Sequence, residues 1–404
     1  MSEGPRLFYL DDIPTPYRLG VQKRVADEWP GTFQLAFCAE SEPGRDWELD
    51  FAPLTPIFLE GKQWRPARQV NPFSIKWNPG VIAALEAFRP DVVILSGYVH
   101  PTMWRAARWC RSRGIPYAIS CETSARSSVT SGWRWFAKRA VAGWMVRGMA
   151  FGLPVGREAG AYLARFGPSS APMQFFPNTP DTSRIVAEAA ALARENGEPA
   201  LRASLGLPAD APIFLFVGRL IGAKRPADAI AAFKKARGDA DAVLVMVGDG
   251  DLMASLREAA EDDPAIRFTG WLKDPATIAR LMSVATAMIL PSAHEPWGAV
   301  VNESMAAGTP VISSDQVGAS TELIEDGVNG FLVPVGDIAG YAAAMSRLLQ
   351  DPELARAMGA GARDQAMRQG ESFAAGNLIA GALTAAGVTP VDRAALPPEP
   401  AHAA

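Results

Sequence analysis

Cysteine and histidine are scarce in this chain, with 3 of each among 404 residues. Cys38, Cys110 and Cys121 are odd in number and show no metal-ligand spacing. They argue against a disulfide scaffold or a metal site and for a reducing cytoplasm. The net charge of -4 leaves no global basic field to attract nucleic acid. No apolar run approaches the ~20 residues that span a bilayer. The opening Met1-Ser2-Glu3-Gly4-Pro5-Arg6 lacks the basic-then-apolar pattern of a signal peptide. No repeat recurs at a fixed period. What is present is a hydrophobic fraction of 49%, ordinary for a globular protein, on a length that suits two domains.

Short apolar runs alternate with helical periodicity. Strands are expected at residues 6–10, 33–37, 92–95, 116–120, 150–153 and 173–176, with helices at 19–29, 79–88, 101–113 and 156–166. Alternation of this kind predicts a parallel sheet covered on both faces. Pro177-Asn178-Thr179-Pro180-Asp181 is turn chemistry and marks a domain boundary. An alanine-rich connector then leads to a second series of buried runs, beginning at 213–217. Ligands of such sheets bind beyond the carboxyl ends of the strands. That singles out the loops holding Tyr17 and Arg18, His100, and Glu122. Arg18 opens a helix, where its charge opposes the macrodipole; it answers either an anionic partner or solvent. His100 is either structural or part of a site. Glu122 is either a hydroxyl acceptor or weak base, or a partner for a helix cap at Thr123 and Ser124.

The most informative stretch is His294-Glu295-Pro296-Trp297-Gly298-Ala299-Val300-Val301-Asn302-Glu303, running on to Gly308-Thr309-Pro310. A Pro-x-Gly turn opens a short helix over 299–307. Gly308 closes it, because glycine accepts the left-handed cap without steric cost. Pro310 then bars further helix. Backbone N–H groups at Gly298, Ala299 and Val300 are left free at the helix start, which suits a phosphate. At helical rise the carboxylates of Glu295 and Glu303 stand on the order of 12 Å apart, too far to share a proton. They suit the two ends of a long ligand with hydroxyls at both ends and phosphate between. Upstream, Gly218-Arg219-Leu220-Ile221-Gly222-Ala223-Lys224-Arg225-Pro226 follows a buried run with glycines and cations fit for a diphosphate.

This ordered series, with Gly327-x-Asn329-Gly330-Phe331-Leu332-Val333, resembles the retaining glycosyltransferases of family four, which have the GT-B fold. The likeness is close over 211–350 and looser elsewhere. It implies an α/β architecture of two Rossmann-like domains with parallel sheets facing a cleft. Residues 1–180 would form an acceptor-binding domain and 181–370 a sugar-nucleotide domain. A last helix at 371–387 would pack back on the first domain, and 388–404 would be a disordered tail. The donor would be a nucleoside-diphosphate sugar, with no cofactor and no metal. By resemblance Arg219 and Lys224 hold the diphosphate, and the loop of Gly270 and Trp271 receives the base. Trp271 itself reads as either core or a wall beside the base. Gly218, Trp297 and Gly298 complete the donor-binding set. Glu303 is assigned to the ribose hydroxyls, Glu295 to a hydroxyl of the donor sugar, and Tyr17, Arg18, His100 and Glu122 to the acceptor wall. Catalysis would rest on Glu295, Lys224, Arg219 and Glu122. His294 reads as a loop histidine bracing Glu295.

Two departures qualify the likeness. The first strand-to-helix loop, often glycine-rich in the family, is here stiffened by Pro14 and Pro16. Glu122 stands where relatives commonly carry a histidine. The expected reaction is transfer of a sugar to a hydroxyl of a saccharide or lipid-linked acceptor in surface polysaccharide or glycolipid assembly. A sugar-nucleotide epimerase or hydrolase, and a non-catalytic subunit docking at a membrane, are the alternatives. Residues 126–149 carry Trp133, Phe136 and Trp144 at helical spacing among Arg126, Arg134, Lys138, Arg139 and Arg147. They form either a helix packed on the sheet or a peripheral contact with the inner face of the cytoplasmic membrane.

Overall fold

The computed structural model describes residues 4–42, 49–64, 74–124, 132–166 and 171–388. The chain begins with β1 (Arg6–Asp11), β2 (Thr32–Phe37) and β3 (Ile57–Phe58). A hairpin of β4 (Lys62–Trp64) and β5 (Ile75–Trp77) follows, then β6 (Val92–Ser96), β7 (Tyr117–Cys121) and β8 (Phe151–Pro154). Six of these strands form one sheet in the order β3-β2-β1-β6-β7-β8, with every pair parallel. β4 and β5 pair antiparallel, apart from it. The second half supplies β9 (Ile213–Val217), β10 (Val243–Val247), β11 (Ile266–Gly270), β12 (Ala287–Leu290), β13 (Val311–Ser314) and β14 (Gly330–Val333). They build a second parallel sheet in the order β11-β10-β9-β12-β13-β14. Both architectures follow from composition. Runs such as Val-Val-Ile-Leu in β6 and Ile-Phe-Leu-Phe in β9 are buried throughout, as strands covered by helices on both faces must be.

Each sheet reverses its winding at its centre, between β1 and β6 in the first and between β9 and β12 in the second. Such switch points leave a crevice beyond the strand ends, and both crevices are used below.

One expected strand is absent. Residues 173–176 form no named strand, yet beside the parallel bridge between Met173 and Gly152 they run along β8, with Gln174 N donating to Gly152 O and Phe176 N to Pro154 O, each at 2.8 Å. Pro172 and Pro177 flank the segment and cannot donate to a ladder. The final helix, Glu371–Ala385, packs Ala374, Ala375, Leu378 and Ala382 against Leu7, Tyr9 and Phe151 of the first sheet. A Cβ on its Gly381 would stand 2.7 Å from the Phe151 ring, so only glycine permits this approach. The helix Gly132–Val146 covers part of the basic tryptophan-bearing stretch. Ala142, Met145 and Val146 are buried, Trp144 is half-buried under the Arg111 guanidinium, and Phe136 is 69% exposed. Arg126 and the side chains of Trp133, Arg134 and Lys138 lie outside the described residues, as does the tail beyond Val388. Among the described residues no helix is long and apolar enough to cross a membrane.

Candidate functional site: a two-sided cleft

On the side of the second sheet, β9 runs into the loop that carries Gly218, Arg219 and Lys224. Gly248, at the end of the neighbouring β10, has φ +137, and a Cβ there would lie 2.0 Å from Gly218 O. Only glycine lets the two strand ends approach this closely. Arg219 is exposed and has no side-chain partner among the described residues. Lys224 closes a single 3-10 turn, Gly222–Lys224, and its Nζ stands 2.7 Å from Glu295 Oε1. Arg225 does not join the cations of the site. Its Nε is tied to Asp228 at 2.7 Å, an ion pair within the helix that follows.

Glu295 follows β12. Its Oε1 also accepts from Ser292 Oγ at 2.6 Å. Its backbone N–H donates to Gln316 O, and its carbonyl accepts from Gly318 N. Ser292 and Lys224 thus both brace Glu295. The helix Ala299–Ala306 begins at Gly298, which has φ +94. A Cβ on Gly298 would lie 2.8 Å from Val317 Cγ1 and 3.5 Å from Glu295 Oε2. The bare glycine thus lets the carboxylate sit beside the helix start, whose first N–H groups, at Ala299 and Val300, have no acceptor within the helix. Gly308, with φ +87, ends the helix as its composition required.

Glu303 lies half-buried on this helix. Burial raises its carboxyl above the usual range, against the opposing charges of Arg184 and Lys224. Lys224 therefore acts on both carboxylates. Arg184, on the helix Thr182–Arg194, was not among the candidates; only folding brings it near Glu303.

The structure separates two tryptophans of the donor-side set. Trp271 is 65% exposed beside Gly270 and is no part of the core. Trp297, expected to bind the donor, is buried. Its indole N–H is shared between Asn178 O at 2.6 Å and Asn302 Oδ1 at 3.0 Å. Its ring meets Phe175 edge-on. The side chain is a joint between the two halves of the chain and has no free face or donor for a ligand.

On the side of the first sheet, a cavity of about 280 Å³ opens beyond β1 and β6. Tyr17, Arg18, His100 and Glu122 all line it, so the structure brings the four acceptor-side candidates together. Arg18 is neither solvent-facing nor short of an anion. It is 4% exposed, donates to Glu122 Oε1 at 3.1 Å and Ser120 Oγ at 3.4 Å, and lies over the Phe176 ring. Glu122 is thereby an ion-pair partner of Arg18. His100 Nε2 is 3.0 Å from Asp12 Oδ1, while its Nδ1 accepts from Lys76 N.

Sequence reasoning missed Asp11, Asp12, Glu42 and Lys76. Lys76, on β5, is wholly buried and bridges Asp12 Oδ1 at 2.8 Å and Glu42 Oε1 at 2.6 Å. Burial alone would raise both carboxyls; for Asp12 the bonds and charges of His100 and Lys76, and for Glu42 those of Lys76 and Ser74, hold them below the usual range. Asp11 is pushed up by burial to about 6, against the opposing charge of Arg18. The pair Asp11-Asp12 at a strand's carboxyl end was the one signal available in advance.

The two sides touch. Glu322 Oε1, from the second half, accepts the Arg157 backbone N–H at 2.6 Å, and Arg157 Nη2 donates to Thr321 O at 2.8 Å. Glu322 thus caps the helix Arg157–Ala164 from across the cleft.

Comparison with known proteins agrees with this layout. The model of the "Glycosyl transferases group 1" family matches residues 197–365, and that of the "Glycosyl transferase 4-like domain" matches 35–179. The chain belongs to the group 1 glycosyltransferases. Among curated relatives, the lipopolysaccharide core biosynthesis glycosyltransferase LpsE of Rhizobium meliloti is 35% identical over 156 residues, 38% of this chain and 44% of the relative. N-acetyl-alpha-D-glucosaminyl L-malate synthase of Bacillus anthracis is 32% identical over 172 residues, 42% of this chain and 44% of the relative. The match thus spans less than half the length of these relatives. Solved structures align over more. Anabaena Alr3699/HepE in complex with UDP gives a TM-score of 0.69 at 17% identity, covering 94% of this chain and 99% of the other. A glycosyltransferase from Rickettsia africae gives 0.71 at 13% identity, covering 95% and 99%. At such identities the likeness shows the GT-B fold alone.

Proposed function

We propose that this glycosyltransferase moves a sugar, with retained anomeric configuration and without a metal, from a nucleoside-diphosphate sugar to a hydroxyl of a saccharide or lipid-linked acceptor. The ion pair of Lys224 and Glu295 at the start of the helix Ala299–Ala306 carries the reading. It sets a cation, open N–H groups and a hydroxyl acceptor at one switch point. Lys224, Arg219 and the N–H groups of Gly298, Ala299 and Val300 take the diphosphate. Glu303 takes the ribose and Glu295 a donor-sugar hydroxyl. As the nucleoside diphosphate departs its charge grows, and fixed cations and dipoles stabilise the transition state more than the ground state. The acceptor hydroxyl enters from the cavity of Arg18, His100 and Glu122. No carboxylate is assigned as a nucleophile, so displacement occurs on the donor's front face through an oxocarbenium-like state.

The likeness to the lipopolysaccharide core biosynthesis glycosyltransferase LpsE supports a place in surface polysaccharide or glycolipid assembly. The exposed Phe136 supports a peripheral contact with the inner face of the cytoplasmic membrane. A thermal-shift panel of UDP, GDP, ADP and dTDP tests the donor site. One nucleotide at a hundredfold excess over its Kd should stabilise the fold by about 2.7 kcal/mol. A panel without a shift, or an unchanged shift in the double variant Lys224→Ala, Glu303→Gln, refutes the assignment.

A further inference from the structure

The cavity beyond β1 and β6 carries a chemical pattern that the proposed reaction does not by itself specify. Four carboxylates line it: Asp11, Asp12, Glu42 and Glu122. Two fixed cations answer them, Arg18 in the wall and Lys76 behind Asp12 and Glu42. Above about pH 7, where Asp11 too is ionised, the carboxylates are in excess even with His100 counted as charged. The wall also holds donors. Arg18 Nη1 and Thr15 Oγ1 are buried and have no partner among the described residues. Thr15 is 6% exposed and lines the same cavity.

A ligand here must accept from Arg18 and donate to carboxylates. A hydroxyl group does both. An anionic group only accepts, and would be set against the excess of carboxylates. An ammonium group only donates, and would leave Arg18 Nη1 unmet. We infer that the pocket selects an uncharged polyhydroxyl group, a neutral sugar residue, and excludes acidic ones. The inference rests on the proposed acceptor role of this side of the cleft and narrows it. Any phosphate or carboxylate on the acceptor would have to lie outside the cavity. Glu122 then has a stated purpose: it supplies a hydroxyl acceptor and cancels the one cation that would otherwise draw an anion in.

The test uses three probes that differ only at carbon six: methyl α-glucopyranoside, the corresponding uronate, and the 6-amino-6-deoxy sugar. Binding to the full chain is read by saturation-transfer NMR. Repulsion by the excess charge should give the neutral probe a Kd at least roughly tenfold below that of the uronate, and the unmet Arg18 Nη1 should keep it below that of the amine. Glu122→Gln unpairs Arg18 and should narrow the gap between neutral sugar and uronate to about threefold. A uronate or amine bound as well as the neutral sugar, binding of none of the three, or a gap unmoved by Glu122→Gln overturns the inference. The nucleotide panel is read separately. If nucleotide binds while the uronate wins, the charge selection falls and the transferase reading stands. If no nucleotide binds, the transferase reading falls on its own.

Discussion

Asp11 gives the sharpest quantitative expectation. It is 7% exposed; its Oδ2 accepts from Gln22 Nε2 at 2.7 Å and its Oδ1 from the Asp12 N–H at 2.8 Å. Burial lifts its carboxyl from 3.8 to about 6. Below the lower value the group is protonated in both folded and unfolded chains. Between the two, the unfolded chain releases its proton and the folded chain does not, so stability falls as pH rises. Above the upper value the loss is complete. The gap from 3.8 to about 6, at about 1.4 kcal/mol per pH unit, comes to roughly 3 kcal/mol. Asp11→Asn removes this titration and keeps the volume. The Gln22 side-chain oxygen has no hydrogen-bond partner among the described residues and can turn to receive the new amide. Urea unfolding of both proteins from pH 4 to 8 is the assay. The stability of the variant relative to wild type should climb by roughly 2.5 kcal/mol between pH 4 and 7 and then level off. A difference that stays flat across that range, or that falls, would show that Asp11 is not held protonated by burial.

Three further outcomes are expected. Lys224→Ala should lower kcat about 10²–10³-fold, as loss of one fixed stabiliser of developing charge does, with the far-ultraviolet spectrum unchanged. Glu303→Gln should weaken nucleotide binding by about 1.5–3 kcal/mol, the range for a hydrogen bond to a charged group, and leave acceptor binding alone; calorimetry separates the two. Glu322→Ala removes a cap supplied from across the cleft, costs about 1 kcal/mol, and should widen the solution radius of gyration by scattering. An unchanged radius would mean the domains are held by other contacts alone, such as the Trp297 bond to Asn178.

What could be read from the chain alone was whatever depends on near neighbours. Gly308 must end the helix that begins at Gly298, because both need a backbone that other residues resist. The apolar runs must be buried strands, because nothing else covers so much apolar surface without interruption. Helical rise could not set the spacing of Glu295 and Glu303, because the helix starts at Ala299 and Glu295 lies in the loop before it. Tertiary structure decided what depends on which surfaces meet. Arg18 and Glu122 are 104 residues apart and become an ion pair only because β1 and β7 end on the same side of one sheet. Lys76 reads as an ordinary surface lysine until its strand folds over Asp12 and Glu42 and excludes water from it. Trp297 sits inside the donor motif yet faces Asn178, because its ring is the apolar surface the interdomain joint required. Periodicity tells a side chain to face inward. It does not say which carboxylate, carbonyl or ring will be waiting there, since that partner is set by the packing of elements far apart in the chain.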